Sequence, residues 1–222
     1  MFSFLNFIFL VTKYTLRKYS FLRILQILEA KKYQVNGLIL DVGGNDYLHN
    51  ISNYFGGDFK IQFADKFPKN DDVIKVDLEK DLTINQTYDF ICLMNVLEHI
   101  KNYRNVIQFC KNSLSENGKL IGSAPFMFKI HYSPNDYFRF SEQLLYEELK
   151  SLGFNNILIK PLGVGIFTNF YSSFCDYTNR IPLLNVFIVI LFILLDKILF
   201  FVSKKYTKSY PIGYFFVADN LN

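Results

Sequence analysis

Apolar and polar positions follow two rhythms along this chain. Short, mostly apolar runs recur, several of them stopping at a glycine or an acid: "GLILDVG" (37–43), "FKIQFAD" (59–65), "DVIKVD" (72–77), "YDFICLMN" (88–95), "GKLIGSAPF" (118–126), "NNILIKPL" (155–162) and "YPIGYFFVAD" (210–219). Runs of this length, bounded by turn residues, predict seven strands. Between them the apolar residues fall at helical spacing. Leu48, Ile51 and Phe55 do so in 47–55, and a helix is expected from about Glu98 to Leu114. "SEQLLYEELKSLG" (141–153) carries its own punctuation, with Ser141 as N-cap and Gly153 as stop. "LEKDLTINQT" (78–87) is too short for a crossover helix and predicts a loop or single turn. Strands alternating with helices predict an α/β fold on a doubly wound, largely parallel sheet.

Two segments stand outside that alternation. Residues 1–36 form an expected N-terminal arm. It is apolar from Phe2 to Val11, too short to span a bilayer, and then basic at Lys13, Arg17 and Lys18. It lacks a charged start and a small-residue cleavage site, so it does not read as a signal peptide. A basic amphipathic helix lying in a membrane interface fits better. Its charge sharpens the point: six basic residues face one acid, Glu29, while the chain as a whole is only +4. A negative surface, lipid or nucleic acid, is the expected partner. The apolar tip suits lipid, and nucleic acid is not expected. The second segment is "IPLLNVFIVILFILLDKILFFVSKKY" (181–206), within an apolar insertion over 163–209. Pro182, Asn185 and Asp196-Lys197 interrupt it, leaving ten unbroken apolar residues from Val186 to Leu195, fewer than a span requires. It is expected to be an interfacial or re-entrant helix, or a lid.

Composition adds little more. Half of the residues are hydrophobic and 18% aromatic, which excludes a disordered chain. Cys92, Cys110 and Cys175 lack metal-type spacing, so no metal site is expected, and their odd number favours a reducing compartment.

The chemistry gathers at strand ends, where doubly wound sheets bind ligands. The first strand turns through Gly43 and Gly44, which let a backbone approach a ligand closely. The second ends at Asp65, about twenty residues on, placed to accept from both hydroxyls of a ribose. The third ends at Asp77, placed to accept from an adenine amino group. With Asp41, that makes three acids at three successive strand ends.

On these residues the sequence resembles the class I S-adenosylmethionine-dependent methyltransferases. "LILDVGGND" matches the glycine-rich first motif, "FAD" the acidic ribose-binding position and "VIKVDLEKDL" the adenine-side motif. "YDFICLMNVLEHIKN" matches the fourth-strand motif and "LSENGKLIGSAPF" the fifth strand with its turn. The resemblance implies S-adenosylmethionine as cofactor, held by Asp41, Gly43, Gly44, Asn45, Asp65, Asp77, Leu78 and Asn95. Asn45 stands where the family usually has a second glycine, and Asn tolerates left-handed backbone. The resemblance also implies a domain over 37–222 with a Rossmann-like, seven-stranded sheet whose last strand inserts antiparallel between the fifth and sixth. Only "YPIGYFFVAD" can be that strand, so both flanks of 181–206 belong to one sheet, on one side of any membrane.

"FKIHYSPNDYFRFSEQLL" (128–145) resembles a branch often involved in small-molecule or surface-glycan modification. There His131 is a candidate general base for a hydroxyl, and Tyr137 and Arg139 are candidates to position the acceptor. A pairing of Asp136 with Arg139 that only holds the loop is the plainer reading. His99 reads as structural. The leading expectation is methyl transfer to a small-molecule or glycan- or lipid-linked acceptor at the cytoplasmic face of the membrane, by a peripheral protein. The alternatives are a non-catalytic module in a membrane-bound biosynthetic complex and an RNA methyltransferase.

Overall fold

The computed structural model describes residues 3–45, 51–80, 82, 84–132, 134–202 and 209–221. The chain packs as two compact units. One holds Glu29–Pro125, Ile130–Lys160 and Tyr214–Asn222; the other holds Met1–Leu28, Phe126–Lys129 and Pro161–Gly213.

The first unit is built on a seven-stranded sheet. Its strands are β1 (Gly37–Val42), β2 (Phe59–Asp65), β3 (Val73–Lys75), β4 (Tyr88–Met94), β5 (Leu114–Pro125), β6 (Asn155–Leu162) and β7 (Gly213–Asp219). Their order is β3-β2-β1-β4-β5-β7-β6. Pairs β1–β2, β1–β4, β2–β3 and β4–β5 are parallel. The last strand is antiparallel, and the backbone shows it: Asn220 N–H donates to the Gly118 carbonyl and Asn117 N–H to the Asn220 carbonyl. All seven expected strands exist. The order reverses at β1–β4, and strands fan outward from there, leaving a crevice at their carboxyl ends. Central strands are buried on both faces, so Ile39, Leu40, Ile91, Leu93, Leu120 and Phe216 read as unbroken apolar runs.

Helices α3 (Tyr103–Ser113) and α4 (Glu142–Ser151) belong to this unit. Ser141 caps α4 as expected, accepting from Leu144 N–H at 3.2 Å. The single helix expected from Glu98 to Leu114 is instead two pieces. One 3-10 turn covers Leu97–His99, Ile100 is extended, and α3 starts at Tyr103. The helical spacing runs through both pieces, so periodicity alone does not reveal the break. Of the helix expected over 47–55, residues 47–50 lie outside the described residues, and Ile51–Tyr54 form a 3-10 turn. Residues 78–79 form the turn expected after the third strand.

The second unit is helical. It holds α1 (Phe4–Leu16), most of α2 (Phe21–Ala30), α5 (Ile166–Thr178) and α6 (Pro182–Val202). Thus the single helix expected in the arm is two. Lys18 sits at φ +63 and ends α1, and Ser20 accepts from Arg23 N–H at the start of α2. Helix α2 is buried almost all round. Helix α6 runs unbroken for 21 residues and is long and apolar enough to cross a membrane by length and composition. Asn185 and Asp196 face inward onto α5, while Lys197 lies over the Phe4 ring of α1. Asn185 accepts from the Tyr171 hydroxyl at 2.9 Å. Asp196 accepts from the Phe167 and Thr168 N–H groups at 2.9 Å each. The residue before α5 is Gly165, which has no side chain to cap it, so Asp196 supplies the cap from another helix.

Candidate functional site

The crevice at the carboxyl ends of the strands opens into a cavity of about 340 Å³. Five of the eight expected cofactor residues line it: Gly43, Asp65, Asp77, Leu78 and Asn95. They come from the ends of four strands or just beyond them, Asp77 and Leu78 both following β3, which is why residues far apart in sequence meet there. Gly43 has φ +79, and a Cβ on it would lie 2.8 Å from Val96 Cγ2, so only glycine fits. Asp65 accepts from Phe67 N–H at 2.7 Å through one oxygen, and a carboxylate has lone pairs for further donors. Asp77 lies 3.2 Å from the Lys66 ammonium and accepts from Glu79 N–H at 3.2 Å. Burial pushes the Asp77 carboxyl up, but the Glu79 N–H and Lys66 outweigh it and hold the carboxyl below its ordinary value.

The other three expected residues are not among those lining the cavity. Asp41 is buried in β1 and accepts from the Ser52 hydroxyl. Gly44 is also buried. Asn45 has no left-handed backbone; its side chain donates to the Phe67 carbonyl at 2.6 Å and accepts from Lys69 N–H at 2.9 Å. It fastens the first turn to the segment after β2, across the cavity edge. At the cavity it is Asn95 that is left-handed, at φ 57, pinned to Ser123 by its N–H and its side-chain oxygen.

At one end the cavity meets His99, Pro134 and Asn135. The loop that carries His131 docks there, through Tyr137 N–H on the Glu98 carbonyl at 2.8 Å. Asp136 and Arg139 are joined by a two-pronged ion pair. That pair holds the Asp136 carboxyl down at about 2, against its burial. Asp136 also accepts from His131 N–H at 2.8 Å, so Arg139 orders the loop through Asp136. Tyr137 is exposed. Behind the loop lies Glu98, which the sequence did not single out. It is fully buried, and its Oε1 lies 3.7 Å from Nε2 of His99 and 3.7 Å from Nε2 of His131. Burial pushes its carboxyl up to about 8. The Leu-Glu-His tripeptide was the available signal for Glu98, but nothing in a sequence shows that a glutamate after a strand will be buried.

These residues fit a nucleoside-bearing cofactor. Two strand-end carboxylates face the cavity, the backbone at Gly43 can approach closely, and the volume is in the range of ligand sites. Bound there, S-adenosylmethionine would supply an electrophilic methyl group.

The methyltransferase-domain family model matches residues 18–158. No curated protein matches the sequence. Among solved structures, phosphoethanolamine N-methyltransferase 2 of Haemonchus contortus, in complex with S-adenosyl-L-methionine, aligns at 15% identity and TM-score 0.55, over 89% of this chain and 52% of that one. This chain thus spans about half that enzyme's length. A methyltransferase of Haloferax volcanii, in complex with the Trm112 methyltransferase activator, aligns at 12% identity and TM-score 0.54, over 89% and 90%. An S-adenosylmethionine dependent methyltransferase of Mesorhizobium loti aligns at 13% identity and TM-score 0.50, over 86% and 95%. The structural likenesses establish the fold, the family model covers more than half of the chain, and the protein therefore belongs to the methyltransferase-domain family, with the class I methyltransferase fold.

Proposed function

We propose that the protein methylates a small-molecule or glycan- or lipid-linked acceptor at the cytoplasmic face of the membrane, to which it is bound peripherally. The observation that carries the membrane part is a stripe on α6. Leu183, Phe187, Leu191, Leu194, Ile198 and Phe201 recur at helical spacing, and all are exposed. Helix α1 adds Leu5 and Phe9, at 80% and 64% exposure. Exposed apolar residues placed singly need no explanation, but a continuous helical stripe does. In a membrane interface each large side chain regains about 1.5–3 kcal/mol on burial. Lys13, Arg17 and Lys18 add about 1 kcal/mol each near an anionic surface.

Although α6 is long enough to span, β7 follows it in sequence and lies between β5 and β6 in the sheet. One crossing would separate β7 from its partners. In this reading Asp65, Asp77, Gly43, Leu78 and Asn95 hold the cofactor. His131 and Tyr137 meet the acceptor at the cavity end beside His99, and Arg139 positions their loop. Proximity and alignment supply most of the acceleration.

Cysteine labelling in sealed vesicles tests the topology. All three native cysteines are buried, so the background is low. Tyr177→Cys and Leu221→Cys place reporters before and after α6, and both should react from the cytoplasmic side only. Reaction from opposite faces would show that α6 crosses and that β7 leaves the sheet.

A further inference from the structure

We propose that Glu98, His99 and His131 form a binding site for one divalent transition-metal ion beside the cofactor cavity. Ligand atoms of the three lie within 4.8 Å of one another. Glu98 is fully buried, and neither of its side-chain oxygens has a hydrogen-bond partner among the described residues. A buried carboxylate left in that state is costly unless something else binds it. Both imidazoles turn Nε2 toward it, and their rings meet edge to face at 4.9 Å between centroids.

The outer contacts fix which nitrogen faces inward. His99 Nδ1 lies against the Asn135 carbonyl, which can only accept, so Nδ1 carries a proton and the neutral ring presents its lone pair at Nε2. His131 Nδ1 faces the Asp136 carboxylate at 3.6 Å, and Arg139 grips that carboxylate from behind. The backbone carbonyl on His99 is a support that metal-binding imidazoles use, and the Asp136 carboxylate fixes His131 through its backbone N–H.

A shared proton does not explain the spacing. Each Nε2 stands 3.7 Å from the Glu98 oxygen, beyond the reach of a hydrogen bond. An ion about 2.1 Å from each ligand would hold them roughly 3.4 Å apart, a few tenths of an ångström less than either Nε2–Oε1 separation. Two imidazoles and one carboxylate suit Zn²⁺, Fe²⁺ or Co²⁺; Mg²⁺ and Ca²⁺ prefer oxygen alone. Three protein ligands leave a position open. His99 lines the cofactor cavity, so a hydroxyl on the acceptor that takes this position would be oriented there and made more acidic, releasing its proton to solvent. That use rests on the methyl-transfer reading above; the binding of the ion does not.

The test uses the full, untagged chain, stripped with a chelator and given no cofactor. Co²⁺ is titrated with visible absorption as the readout, and Zn²⁺ by calorimetry. One ion per chain is expected, with affinity reduced at least about tenfold in Glu98→Gln and in His131→Ala. Circular dichroism checks that each variant folds. His131 sits on a partly exposed loop, so His131→Ala decides the matter if Glu98→Gln fails to fold. No ion bound by the unaltered chain, or equal affinity in a folded His131→Ala, overturns the proposal. S-adenosylmethionine titrated into the same samples reports separately on the cofactor reading.

Discussion

Asp65 carries most of what a single side chain contributes to the cofactor reading. It faces the cavity, spends one contact on Phe67 N–H, and retains acceptor capacity for a ribose. Asp65→Ala should weaken S-adenosylmethionine binding by about 1–3 kcal/mol, as for a charge-assisted hydrogen bond. Calorimetry giving unchanged affinity would remove Asp65 from the site. Asp41 and Asn45 show how residue type alone misleads. Both match a cofactor motif, yet each is spent on its own chain, Asp41 on Ser52 and Asn45 on the segment after β2. A carboxylate or amide near a glycine turn has the same letter whether it faces a ligand or a neighbouring hydroxyl.

Among the helices, two polar interruptions of α6, Asn185 and Asp196, are contacts with α5. Asp196 receives the Phe167 N–H, the Thr168 N–H and the Thr168 hydroxyl, the last at 2.7 Å. Asp196→Ala leaves those donors unpaired in a buried place, so it should lower stability by about 2–4 kcal/mol, read as a fall in Tm. Asp196→Asn keeps an acceptor and should cost less. At the far end of the sheet, Lys119 on β5 meets Asp219 on β7 at 2.6 Å, and Asn156 adds a bond at 2.9 Å. Burial alone would raise the Asp219 carboxyl; Lys119 and Asn156 outweigh it, so its pKa is lowered. A lowered carboxyl stabilises the fold above its unfolded value, near 4, and that stabilisation is lost as pH falls through the folded value. Lys119 is partly exposed, so the effect is under about 1 kcal/mol. Asp219→Asn should therefore be slightly less stable than the parent at pH 7 and indistinguishable from it at pH 2–3. A gap that persists in acid would assign the loss to packing.

For the molecule as a whole, the exposed stripe carries the proposed membrane contact. Replacing Leu183, Phe187, Leu194 and Phe201 with Gln alters exposed positions only, so the change in stability per site should stay within about 0.5 kcal/mol. Flotation with anionic liposomes should fall, above all at high salt, where the basic residues of α1 and its turn are screened. Flotation unchanged at high salt would mean that the stripe does not contact lipid.

The sequence by itself determined the strands and their order of use. β2 and β6 have the bounds that their runs predict although both are partly exposed, because turn residues such as Gly57, Gly153 and Gly163 bracket them. The acids at strand ends were legible for a related reason: an acid stops an apolar run where the chain leaves the core. Three matters were decided only by tertiary structure. The break at Ile100 is invisible because the helical period continues across it. Helix α5 was hidden within the insertion, because its cap comes from Asp196, far away in sequence. The cluster at Glu98 joins a residue after β4 to a histidine in the loop after β5, and its character depends on burial. Local sequence encodes local spacing; which side chains lose their water when strands and loops meet depends on the packed fold.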